Sequence, residues 1–426
     1  MKEDFLHYLW KFRKFNTGSI YTSSGEAIFI HNPGTINENA GPDFFNSKIQ
    51  IGHQLWAGNV EIHLKSSDWY LHHHEKDVRY NNVILHVVWQ HDVEIFRSDG
   101  TVIPTLELQN FANKSVLNTY TGFLEKKISF ITCENSISEV DTFLINHWKD
   151  NLFIERLEQK TNFILKELEA SQNDWEAVLF KMLFKNFGLK VNGDSFYEVS
   201  RAFDFSLVRK LRHDPELLES LFFGCAGLLQ GQDCYDAYYD ILNSHYLYLQ
   251  KKYHTISEIA VKPSFFRLRP ANFPTIRLSQ LAQLYAKHSA LFTNLMETHA
   301  VEDYYEIFKI GTGNYWKTHY TWGKKSTNRS KKITTSFIDL LIINTIIPIK
   351  FCYYKTKGFD NNTDILNLIS SLPPEKNTII KRFNELGIES GSALDTQAIL
   401  QLYNNYCTPK KCLDCAIGNK LLSLSS

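Results

Sequence analysis

The sequence predicts an α+β fold in which an N-terminal mixed sheet with flanking helices is followed by a mostly α-helical body. Three observations carry this expectation. Up to about Asn113, short runs of β-branched and aromatic residues alternate with turn residues, without the even spacing of repeated βαβ units. From about Phe143 to Ile349, apolar residues recur at the three-and-four spacing of long helices. The chain has 426 residues, 43% hydrophobic and 14% aromatic, enough for large cores and two or three domains. Lys+Arg and Asp+Glu balance at 46 each, so no net field draws the molecule onto nucleic acid or an anionic membrane. Any nucleic-acid site must be a local patch.

In chain order, Asp4–Lys14 carries Phe5, Leu6, Leu9, Trp10 and Phe12 at helical spacing. The acids at its start stand where a signal peptide needs positive charge, and the expected location is cytoplasmic. Strands are predicted at Ala27–His31, Phe44–Ile51, Asn59–Lys65, Val83–Trp89, Val93–Phe96 and Val102–Leu108, with Ser98-Asp99-Gly100 as a hairpin turn. A second helix is expected over Ser67–Asn82. These elements make a first domain, 1–113. Helices at Phe143–Glu169 and Trp175–Phe187 open a helical domain, 143–349. Its most apolar stretch, Phe337–Ile349, is too short to span a bilayer and carries Asp339, Asn344 and Pro348, so it reads as a buried helix and no membrane partner is expected. The remainder, 350–426, reads as a helical cap: Pro373-Pro374 opens a helix, Gly387 and Gly391 close it, and a helix over Thr396–Tyr406 runs into three cysteines.

The chemistry concentrates near the N-terminus. Seven of the sixteen histidines fall between His53 and His91. A strand through Val60–Lys65 places Glu61, His63 and Lys65 on one face, opposite Val60, Ile62 and Leu64. Upstream, Gly41-Pro42 delivers Asp43 to the start of a strand. Downstream, a helix would align His73, Asp77 and Tyr80 at i, i+4 and i+7, and the next strand carries His86. Two carboxylates on neighbouring strands, Asp43 and Glu61, can hold Mg²⁺ or Mn²⁺ through hard oxygens, with His63 or Lys65 orienting water, as metal-assisted phosphodiester hydrolysis requires. The flat alternatives are a structural hydrogen-bond network and plain surface polarity. A competing chemistry is a cupin-like barrel in which strands bearing His63 and His86 converge on Fe or Zn.

The order of these motifs resembles the PD-(D/E)XK nuclease superfamily: an opening helix, Pro42-Asp43 on the second strand, Glu61-Ile62-His63 on the third, then a helix and a further strand. The resemblance implies a restriction-endonuclease-like domain in which Asp43 and Glu61 are metal ligands, with His63 standing where that superfamily has lysine. Gly41-Pro42-Asp43-Phe44, Gly58-Asn59-Val60-Glu61-Ile62-His63, Ser67-Asp68-Trp69, Tyr80–Val88, Arg269-Pro270-Ala271-Asn272-Phe273-Pro274 and Cys407 with Cys412-Leu413-Asp414-Cys415 also resemble the bacterial family known as domain of unknown function 2851. That resemblance supplies no activity.

Cys407-x4-Cys412-x2-Cys415 offers three soft ligands, with Cys352 expected as the fourth, for Zn or a [4Fe-4S] cluster. Cys133, Cys225 and Cys234 read as ordinary buried residues. Tyr315, Trp316, Lys317, Trp322, Lys324, Lys325 and Arg329 form a basic, aromatic strip that could take the phosphates and unstacked bases of DNA or RNA, unless its aromatics are packed inside. The reading is a metal-dependent nuclease or nucleic-acid-processing protein. The alternatives are a non-catalytic nucleic-acid- or protein-binding module on a degenerate nuclease fold, and a His-ligated metalloenzyme acting on a small molecule.

Overall fold

The β-forming runs of the first hundred residues pair into one mixed sheet in the computed structural model of the chain, which describes residues 1–37, 39–124, 129–230, 236–257, 259, 261–359 and 362–424. Its strands are β1 (Ile20–Tyr21), β2 (Ala27–Asn32), β3 (Thr35–Ile36), β4 (Phe44–Ile51), β5 (Gln54–Lys65), β6 (Val83–Gln90) and β7 (Thr105–Glu107). They lie in the order β1-β2-β4-β5-β6-β7, with β3 added to β4. Neighbours from β1 to β5 are antiparallel, whereas β6 runs parallel to β5, and β7 to β6. The tight β4–β5 hairpin turns on Gly52, whose φ of 58° suits glycine. Every residue of β6 from Val83 to Val88 is buried, as befits a parallel strand covered on both faces. Helix α1 (Glu3–Phe12) lays Phe5, Leu6, Leu9 and Trp10 into the core and packs on β5.

Two expected elements do not form. Val93–Phe96 makes a single bridge, Phe96 to Val102, around Gly100, and Ile95 and Ile103 pack instead with Trp69, Tyr80 and Val83. The helix expected over Ser67–Asn82 shrinks to α2 (Asp68–Leu71). The chain then turns left-handed at His73 (φ 60°) and continues as short 3-10 turns at His74–Lys76 and Val78–Tyr80. The physical reason is that His72–Arg79 has no apolar stripe to bury, so a helix there gains nothing from packing. Asp77 also accepts the Arg79 backbone N–H at 3.0 Å, a local bond that competes with the helical one.

The chain divides into two compact units. The first is Met1–Lys149, Lys381–Ile388 and Ile399–Ser426, and the second is Asp150–Ile380 and Glu389–Ala398. The expected 350–426 cap is therefore not a separate body. Its end returns to the first unit because the helix Ala416–Leu424 packs on the helix Lys114–Leu124, and the Phe130 ring meets Phe383 at 5.2 Å and Tyr403 at 5.1 Å.

The second unit is mostly helical, with one small antiparallel pair of strands at His319–Thr321 and Lys324–Lys325, and its helix Trp175–Phe187 starts at the expected residue, with Asp174 accepting the Ala177 N–H. The apolar stretch at Phe337–Ile349 belongs to a continuous 23-residue helix, Thr335–Lys357, with a π-type turn at Ile342–Ile346. By length and composition it could cross a bilayer, yet 78% of its most apolar window is buried within the protein.

Candidate active site

The parallel register of β5 and β6 pairs Glu61 with His86, so Glu61, His63 and His86 share one face of the sheet. Asp43 arrives just before β4. Its backbone N–H donates to Glu61 Oε2 at 3.1 Å, and its own Oδ2 accepts the Ile62 N–H at 2.9 Å. The two carboxylates are thereby locked side by side by reciprocal bonds across adjacent strands. From α1, His7 places Nε2 3.2 Å from Asp43 Oδ2. The turn after α2 contributes His72 and His74 on either side of the left-handed His73.

The imidazoles form a chain. His63 Nδ1 lies 2.8 Å from His86 Nε2, and His63 Nε2 lies 3.1 Å from His72 Nδ1. Glu61 Oε1 is 3.5 Å from His63 Nε2 and 3.3 Å from His74 Nε2. His74 stacks on the Tyr80 ring at 3.8 Å and on His63 at 5.2 Å, which fixes its plane. His63, His72 and His74 each offer a ring nitrogen, all within 4.8 Å of one another, which is the donor arrangement a transition-metal ion takes. In the tautomer in which His63 Nδ1–H donates to His86, the His63 Nε2 lone pair faces Glu61, His72 and His74. His86 then plays the orienting part that a hydrogen-bonded partner plays behind a ligating histidine.

Burial sets the protonation states. His86 is fully buried and His63 is 2% exposed. Desolvation pushes their pKa values down to about 3 and about 2, with the other histidines adding to the effect. Burial thus favours the neutral form of both rings at ordinary pH. Desolvation, and then the neighbouring Asp43 charge, push Glu61 well above the usual carboxylate range, so without a cation it holds its proton. At His7, burial opposes protonation, but the hydrogen bond and charge of Asp43 outweigh it and raise the pKa. The pocket thus has a half-open rim at Asp43 and His7, an exposed edge at His72, and a dry floor at His63 and His86.

The family described as "Protein of unknown function (DUF2851)" matches residues 3–378. The chain belongs to that family. The match takes in every residue of the pocket and ends before Cys407. No curated protein and no solved structure matches the chain.

Several expected site residues lie elsewhere. Lys65 ends β5 exposed, one step beyond the pocket. Its N–H donates to Asp68 Oδ2 at 2.9 Å, and its charge acts on Asp92. His73 is exposed, and Asp77 pairs with Arg79 at the surface, because the helix that would have aligned them with Tyr80 is absent. Of that trio only Tyr80 reaches the site, as the ring under His74. The cupin-like alternative is not met either, since β5 and β6 are neighbours in an open sheet.

The aromatics of the strip pack inward, Trp316 buried and Tyr315 and Trp322 half-buried. Trp316 is fully buried, with Nε1 donating to Glu219 Oε2 at 3.0 Å. Tyr315 stacks between Tyr238 and His319, and Trp322 Nε1 donates to the Leu228 carbonyl. Their faces are used, so they offer no stacking platform for bases. Lys317, Lys324, Lys325 and Arg329 remain exposed cations.

Cys352 does not join the C-terminal cysteines: it is buried in the helix Thr335–Lys357 of the second unit. Cys133, read from sequence as an ordinary buried residue, lines one cavity with Cys407, Cys412 and Cys415 in the first unit. Cys225 is buried as expected, and Cys234 lies outside the described residues. The residues that sequence reasoning missed in the pocket are His7, His72 and His74. The adjacent triplet His72-His73-His74 was a usable signal, but only the backbone turn decides which two point inward.

Proposed function

We propose that the chain is a divalent-metal-dependent hydrolase of phosphodiester bonds, acting on nucleic acid. The observation that carries this reading is the locked Asp43–Glu61 pair on adjacent strands with His63 two residues on, at the junction of an antiparallel and a parallel strand pair. The opening helix, the antiparallel β2, β4 and β5 with the two-residue β1 and β3 beside them, a short helix and then β6 parallel to β5 keep the order of helix, acid-bearing strands, helix and further strand that the PD-(D/E)XK resemblance implies, which supports a restriction-endonuclease-like domain.

Glu61, His63, His72 and His74 would hold the ion, with Asp43 at the rim. A mixed nitrogen and oxygen donor set suits Mn²⁺ or Zn²⁺ better than Mg²⁺. Such an ion supplies Lewis acidity and a hydroxide-like water near neutral pH. His63 cannot stand in for a lysine's charge, because burial keeps it neutral. The cationic partner nearest the two acids is His7, whose pKa the Asp43 carboxylate raises, and its buried Nε2 faces that carboxylate. Glu61 gives up its proton when a cation enters. His86 keeps His63 in one tautomer.

The test is incubation of the chain with single- and double-stranded DNA and RNA in Mn²⁺, Zn²⁺ or Mg²⁺, beside Glu61→Gln and His63→Ala. Cleavage that needs the ion and is lost in both variants is the expected result. Cleavage that survives Glu61→Gln overturns the assignment. Binding without cleavage, unchanged by chelation and by Asp43→Ala, points to a binding module. Because the His63–His72–His74 trio also suits a metalloenzyme of small molecules, ion binding with no action on any nucleic acid moves the assignment there.

A further inference from the structure

The cysteines of the first unit come from two stretches that are remote in sequence. Cys133 lies in the turn following Phe130, and Cys407, Cys412 and Cys415 lie between the π-type turn Tyr403–Cys407 and the helix Ala416–Leu424. All four thiols are free and, with Thr132 and Tyr406, they line a small apolar cavity. Cys412 and Cys415 stand on one tight turn, closed by the Cys415 N–H on the Cys412 carbonyl at 3.4 Å. Cys415 leads directly into the last helix, Ala416–Leu424, and Thr132 lines the same cavity. Position 418 admits only glycine: a Cβ there would stand 2.0 Å from the Cys412 carbonyl oxygen.

From this arrangement we infer that Cys133, Cys407, Cys412 and Cys415 are the four ligands of a [4Fe-4S] cluster. Four cysteines from two remote stretches, Cys415 buried and the other three half-buried, line one cavity and match the donor set of a tetrathiolate metal centre. The size of the void selects the cofactor. A lone tetrahedral Zn²⁺, with Zn–S near 2.3 Å, draws its sulfurs to about 3.8 Å from one another and leaves no hole between them. Here the cavity that the four cysteines line with Thr132, Tyr406 and Gly418 keeps about 20 Å³ for the centre of a water molecule, so these side chains are not closed up on a single point. Among the described residues, the group whose ligating atoms all fall within 4.8 Å is the histidine trio, so no three of these sulfurs lie as close together as a lone Zn²⁺ would draw them. With no cation among them, burial holds these thiols protonated, Cys415 at about 11 and Cys133 at about 12. The cluster would clasp the turn at Cys133 to the C-terminal helix of the same unit.

The test is anaerobic purification of the full chain, with and without reconstitution by ferrous iron and sulfide, followed by iron, zinc and acid-labile sulfide analysis, visible absorption and EPR after dithionite. About four iron and four sulfide per chain are expected. They should come with a broad visible band that bleaches on reduction, be lost in Cys133→Ser and be kept in Cys352→Ser. Zinc in place of iron, no cluster after reconstitution, or a cluster that tolerates Cys133→Ser but not Cys352→Ser each overturns the inference. If Cys133→Ser fails to fold, the wild-type and Cys352→Ser measurements still decide it.

Discussion

Lowering the pH from 7.5 to 5 should separate the buried histidines from the buried glutamate, because the two act on stability with opposite sign. A histidine whose pKa in the fold lies below its unfolded value of 6.5 contributes its full stability above pH 6.5 and loses it as the pH falls toward the folded value. His86 and His63, held at about 3 and about 2, are still neutral in the fold at pH 5, when their unfolded counterparts are charged. Each therefore costs about 2 kcal/mol across the 1.5 pH units below 6.5, at 1.36 kcal/mol per unit. Glu61 runs the other way: its raised pKa costs stability as the pH climbs above the ordinary carboxylate value and gives it back on acidification. The assay is urea unfolding of metal-stripped chain at pH 7.5 and 5.0 for the wild type, His86→Gln and Glu61→Gln. Relative to the wild type, His86→Gln should lose about 2 kcal/mol less on acidification, whereas Glu61→Gln should lose more. Parallel losses in wild type and His86→Gln would refute the claim that a neutral imidazole pair floors the pocket.

Other outcomes follow from the same geometry. Mn²⁺ or Zn²⁺ at a hundred times its dissociation constant should stabilise the chain by about 2.7 kcal/mol, and calorimetry should find that stabilisation lost in His72→Ala or His74→Ala but kept in His73→Ala. Lys65→Ala should leave any metal-dependent cleavage within about twofold of wild type, since its ammonium lies outside the pocket. Trp316→Ala should destabilise by about 3–5 kcal/mol in denaturant melts, the cost of an emptied core site together with one lost hydrogen bond to the buried Glu219, whereas Lys324→Ala with Lys325→Ala should cost under about 0.5 kcal/mol. Gly418→Ala should destabilise the first unit by about 1–3 kcal/mol, read by thermal melting, because its methyl group meets the Cys412 carbonyl.

The parts of the site carried by strands were legible. Glu61, His63 and His86 lie on runs whose alternation dictates their face, and the Gly41-Pro42 turn before β4 announces Asp43. Lys65 shows the limit of that logic, because alternation assigns a face but not how far along the strand the pocket extends. His7 hides in an amphipathic helix whose apolar residues dominate its pattern, and nothing local ties it to Asp43. His72 and His74 depend on a single left-handed residue that composition does not reveal. The aromatic strip misled because a loop rich in Tyr and Trp reads as exposed. What buries it is Glu219, nearly a hundred residues upstream, which accepts the Trp316 indole N–H and the Tyr238 hydroxyl. Cys133 likewise has no sequence neighbour that marks it, and its partners are supplied by tertiary folding alone.

The first unit draws on both the opening and the closing stretches of the chain, with the second unit's residues intervening. During synthesis, the sheet bearing Glu61 and His63 leaves the ribosome long before the helix Ala416–Leu424 that packs on Lys114–Leu124 exists. Until residues 416–424 have emerged, the apolar surface meant for that helix has no cover, and roughly 270 residues of chain separate Cys133 from Cys407. A frameshift anywhere between residues 150 and 398 therefore damages the unit that holds the Glu61 and His63 sheet, although it falls outside that sheet.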